Sequence, residues 1–179
     1  MSEIPKQSKI LILGLGNELL MDDGIGVHVI RDLQKKSLPE NVSIAEIGTA
    51  ILSAQTLLED ADIAIAVDAV NIAGCPGEIF LFDGDTAMND QYMSLHDLGI
   101  AGVMKFLPEN LRPETIVVGV KPETIDYGME MTRNLIQAVP VVTKTIELII
   151  EEIISTNCTS EQNTYKHIAS KIARKGVMS

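Results

Sequence analysis

The run Lys9-Ile-Leu-Ile-Leu-Gly14 is apolar throughout its middle, and a glycine-broken turn separates it from a helical stretch over about Ile25 to Lys36. A strand without polar alternation is one covered on both faces, and a strand that turns directly into a helix is a βα unit. The same alternation returns in a strand over Val42–Ile47, a helix over Ile51–Leu58 and a strand over Ile63–Asp68. It predicts an α/β fold with a mostly parallel sheet in a three-layer α/β/α arrangement.

Glu78–Phe82 reads as a further strand after only a short Gly-Cys-Pro-Gly loop, which suits an antiparallel return and makes the sheet mixed. Ser94-Leu-His-Asp97 resembles a capped helix start, with that helix running to about Phe106, and Thr115–Val120 is another strand. Met131–Ile154 has helical period, and Pro140 inside it predicts a kink or a split into two helices. One domain over residues 1–154 accounts for these elements. Residues 155–179 form a basic tail with a weak amphipathic pattern in Tyr165, Ile168 and Ile172, read as a short helix or disordered.

At 179 residues, 46% apolar, the chain is long enough to bury one core, and no apolar run reaches the length of a membrane span. The polar N-terminus has no secretory pattern, which places the protein in the cytoplasm. The net charge of −11 is carried by the body, since the tail holds Lys166, Lys171, Arg174 and Lys175 against one acid; such a body disfavours nucleic acid. Cys75 and Cys158 have no partner at metal or redox spacing.

The segment from Gly14 to Gly26 carries the chemistry. A dinucleotide fingerprint would need a glycine at position 19, where leucine stands, and a phosphate would meet Glu18, Asp22 and Asp23. The loop reads instead as one that lets Glu18 project into the crevice at the carboxyl edge of the sheet. Asp22 and Asp23 fit a structural role at the positive end of the following helix. Asp68 closes an apolar strand at the same edge, either as a turn former with Asn71 or against a cation. His96 lies at a helix start, whereas His28 on the first helix and His167 in the tail add little. Glu18, Asp68 and His96 together offer two oxygens and one nitrogen, a set suited to nickel or zinc with positions left open.

These blocks, Gly14-x-Gly-Asn-x4-Asp22-Asp-Gly-x-Gly26, Val-Asp68-Ala, Ser94-x-His96-x-Leu98 and Val118-Gly-Val-Lys-Pro122 with Gly128, give the chain a resemblance to the hydrogenase maturation endopeptidases over about residues 9–154. The resemblance implies a sheet of about five strands and an endopeptidase that removes the C-terminal extension of a nickel-loaded [NiFe]-hydrogenase large-subunit precursor. It implies metal ligands at Glu18, Asp68 and His96, with nickel brought by the precursor and with zinc or cadmium as substitutes in isolated protein. Many relatives carry Asp-Gly-Gly-Thr where this chain reads Glu46-Ile-Gly-Thr49, so any recognition or cleavage role of that acid falls to Glu46. A monomer is expected for the free protein. The rival reading is a non-catalytic nickel-recognising assembly factor.

Overall fold

The computed structural model describes residues 8–84, 100–156, 165–166 and 168–170. Five strands, β1 (Ile10–Leu15), β2 (Val42–Gly48), β3 (Ile63–Ala69), β4 (Ile79–Asp83) and β5 (Glu114–Val120), form one sheet in the order β2-β1-β3-β5-β4. All neighbours are parallel except β4, which pairs antiparallel with β5, as its short preceding loop predicts. Between the strands run α1 (Ile25–Leu33), α2 (Gln55–Glu59), α3 (Ile100–Phe106) and the long α4 (Arg133–Thr156).

Strand alternation divides the core in two. Ile10 and Ile12 of β1, Ile63, Ile65 and Val67 of β3 and Ile116 and Val118 of β5 face α1 and α4. Leu11, Leu13 and Leu15, with the small Ala64 and Ala66, face α2 and α3. Each fully buried aliphatic side chain contributes about 1.5–3 kcal/mol, so the two clusters together dominate what holds the layers on the sheet.

Pro140 does not split α4, which remains one element from Arg133 to Thr156. The reason is its position. Pro140 and Ile136, whose carbonyl loses its intrahelical donor, both lie on the exposed face, where water can take that donor's place. The opposite stripe, from Leu135 through Val142, Ile146 and Ile149 to Ile153, is buried.

The packed body also reaches past residue 154. Residues 165–166 and 168–170 are helical, Ile168 is buried in the α1/α4 cluster, and the Tyr165 hydroxyl donates to the Leu81 carbonyl at 3.0 Å. Among the described residues no helix is long and apolar enough to cross a membrane.

Candidate active site

The loops after β1, β2, β3 and β5 gather at the carboxyl edge of the parallel strands, the usual place for a site in such a sheet. Two glycines let the first loop sit tightly there. A Cβ on Gly26 would lie 2.4 Å from the carbonyl oxygens of both Leu15 and Val67, so α1 starts in direct backbone contact with β1 and β3. Gly16 has φ +112°, and a Cβ on it would lie 1.8 Å from the Asp23 carbonyl oxygen. The motif glycines therefore serve close packing, and no phosphate is needed to explain them.

Asp22 is fully buried in a 3-10 turn, Met21–Gly24, that leads into α1. Its carboxylate accepts the backbone N–H groups of Glu123 (2.9 Å), Thr124 (2.9 Å) and Thr132 (2.7 Å) and the Thr132 hydroxyl (3.0 Å). Four donors replace the water that an ionised carboxylate loses on burial. Asp22 thus fastens the β5–α4 loop to the β1–α1 loop, joining residues about a hundred positions apart. Backbone bonds reinforce the seam, from Met21 N–H to the Gly128 carbonyl (2.8 Å) and from Gly128 N–H to that of Leu19 (3.0 Å). Met21 takes a left-handed φ of 52° within it, a conformation that costs a residue with a Cβ about 1–2 kcal/mol.

Asp23, next in the turn, is equally buried, and its Oδ2 accepts the Asn17 N–H at 2.7 Å. The turn packs against β3, which carries Asp68 one residue before its end. Asp68 is buried, with its Oδ1 accepting the N–H of Ala69 at 2.9 Å. Two buried carboxylates thus stand at the junction of the first loop with β3. Carboxylate oxygens ligate divalent ions, zinc among them when nitrogen ligands complete the set.

Glu18 stands beside the same turn, where a Cβ on Gly24 would lie 3.0 Å from its Cα. Arg31 of α1 donates to it through Nη1 (2.5 Å) and Nη2 (2.9 Å), and to Glu46 through Nε (3.1 Å) and Nη2 (2.7 Å). Strand geometry explains the meeting. Val42 and Ile44 pack into the cluster under α1, so Glu46 two residues on points to the same face, and the register shift at Gly14/Leu15 falls beside it. The three side chains keep 33–43% of their surface exposed. Donating to Glu46 and then to Glu18 raises the Arg31 pKa further above its ordinary value, and the guanidinium is always charged. His28, one helical turn before Arg31, brings Nε2 to 3.6 Å from Glu18 Oε1.

The residues singled out in the sequence therefore differ in their surroundings. Asp68 lies at the buried junction with Asp23, while Glu18 and Glu46 lie on an exposed rim, joined by Arg31. His96 lies outside the described residues, and among the described residues no three His, Cys, Asp or Glu side chains form a metal-holding group. Arg31 was missed by the sequence reading, and His28 was set aside. Their spacing of three on one helix was the available signal, since it puts both on one face.

Comparison with known proteins adds to this geometry. The family profile described as hydrogenase maturation protease matches residues 27–154. The chain is 31% identical over 154 residues to the hydrogenase 2 maturation protease of Escherichia coli, covering 82% of this chain and 89% of that protein. Among solved structures it resembles the hydrogenase maturating endopeptidase HybD from E. coli, with TM-score 0.69 and 28% identity over 77% of this chain and 89% of the other. The [NiFe] hydrogenase maturation protease HybD from Thermococcus kodakarensis gives TM-score 0.66 at 28% identity, covering 78% and 97%.

Proposed function

The chain belongs to the hydrogenase maturation protease family, and from that premise we propose that it removes the C-terminal extension of a [NiFe]-hydrogenase large-subunit precursor once nickel has been inserted. The protein is a peptidase. We place the reaction in the cytoplasm, with the free enzyme a monomer and nickel arriving with the precursor. The single observation that carries the reading is the family match over residues 27–154, and the buried Asp23 and Asp68, where the first loop meets β3 at the carboxyl edge, are the site feature that suits it.

The residue pattern and the family resemblance point to Glu18, Asp68 and His96 as metal contacts, and any precursor recognition or cleavage role of the acid in β2 falls to Glu46. A second reading replaces Glu18 by Asp23, and the burial of Asp23 beside β3 supports it. Both Glu18 oxygens are already engaged by Arg31 on the exposed rim, whereas Asp23 shares the buried edge with Asp68. A divalent ion held there would polarise the scissile carbonyl or acidify a water. The protein's own part is to hold the two carboxylates still. The Asn17 N–H fixes Asp23, the Ala69 N–H fixes Asp68, and Asp22 anchors the loop that carries both Asn17 and Asp23. Glu46 on the rim then meets the precursor chain.

The test is intact-mass analysis of a large-subunit precursor incubated with the protein, with and without nickel loading, beside a His96→Ala variant. The expected result is nickel-dependent loss of a C-terminal peptide with wild type and none with the variant. An unchanged length for a precursor verified to contain nickel would overturn the endopeptidase reading and leave an assembly factor.

A further inference from the structure

Two carboxylates from different loops, each about a third exposed, would repel one another and sample many rotamers if left alone at the rim of a crevice. Here one guanidinium ties both. Arg31 makes a two-point contact with Glu18 and another with Glu46, using Nε, Nη1 and Nη2. Such planar forks fix orientation as well as distance, which a lysine ammonium does not do. The network contributes little to folding, because exposed ion pairs are screened and their side chains lose entropy when held. The described loops at this edge already have a strong fastening in Asp22. The network's consequence is therefore positional.

We infer that Arg31 is a positioning residue for recognition of the precursor, holding the Glu46 carboxylate at the rim in the orientation the precursor meets, with Glu18 as the second anchor of the fork. The inference rests on the reading above, in which Glu46 faces the precursor. Arg31 touches no reacting atom. Its loss frees Glu46 to move and leaves two uncompensated charges at the rim, so it weakens encounter with the precursor more than it slows the chemical step.

The experiment measures KM and kcat for processing of the nickel-loaded precursor by wild type, Arg31→Ala, Arg31→Lys, Glu46→Gln and the Arg31→Ala/Glu46→Gln double variant. Circular dichroism checks that each is folded. Arg31→Ala is expected to raise KM about tenfold with kcat within threefold of wild type, the scale of a lost charge-assisted contact. Arg31→Lys regains less than a third of that loss, because charge without the fork does not orient Glu46. The double variant is within twofold of Glu46→Gln, since Arg31 acts through Glu46. Wild-type kinetics in Arg31→Ala would overturn the inference, as would full rescue by lysine or additive losses in the double variant. Failure of wild type to cut at all would instead overturn the endopeptidase reading.

Discussion

The two flanks of the loop after β1 handle acidic side chains in opposite ways. On the inner flank Asp22 and Asp23 are fully buried, and Asp22 alone gathers four hydrogen bonds from the β5–α4 loop. On the outer flank Glu18, five residues before Asp23, keeps a third of its surface in water and is held by one arginine. The difference teaches that residue type does not mark the site. A carboxylate whose environment is built from backbone donors is held by the fold itself, and one on the exposed rim is held only by the side chain that forks to it. In the proposed reading the inner flank holds the ion and the outer meets the precursor.

The largest expected effect is on the inner flank. Asp22→Ala leaves buried donors without an acceptor and is expected to destabilise the fold by about 3 kcal/mol or more, read as a fall in denaturant midpoint. A loss below about 1 kcal/mol, the range of an exposed ion pair, would erase the contrast between the flanks. Next, Asp23→Asn and Asp68→Asn are each expected to lower kcat/KM for precursor processing by about 100-fold or more, while Glu18→Gln lowers it less than about tenfold. Equal losses in all three would merge the flanks into one site.

Glu18→Gln sharpens the comparison further, because it should change unfolding free energy by less than about 1 kcal/mol in urea titrations. The smallest effect lies far from both flanks. Burial, followed by the charge of Asp83, raises the Tyr165 pKa above its ordinary value of 10.0. A pKa raised on folding means that stability from the neutral hydroxyl is fully present below that ordinary value. It is lost as pH rises through the higher folded value. Proteolysis of the C-terminal segment should therefore accelerate above about pH 10 in wild type, and Tyr165→Phe should remove the part of that rise owed to the hydroxyl.

Much of the fold was legible in the sequence, because its signals are local. Doubly covered strands read as continuous apolar runs in β1 and β3, and the short loop before β4 indicated its reversal. The uninterrupted course of α4 was not legible. Whether Pro140 breaks a helix depends on which face it occupies, a tertiary fact. At the site, Asp68 was readable as a charge at the end of an apolar strand. The partition of Glu18, Asp22 and Asp23 was not, since it depends on donors about a hundred residues away for one and on α1 side chains for another. Arg31 shares a helix face with His28 in the sequence pattern, but its link to both carboxylates depends on the pairing of β1 with β2, which brings Glu46 beside Glu18.

The most direct test runs wild type, Asp23→Asn and Glu18→Gln side by side on one nickel-loaded large-subunit precursor and follows its intact mass. The account predicts loss of a C-terminal peptide with wild type and Glu18→Gln and none with Asp23→Asn. A precursor left whole by wild type, or cut by Asp23→Asn and spared by Glu18→Gln, would contradict it.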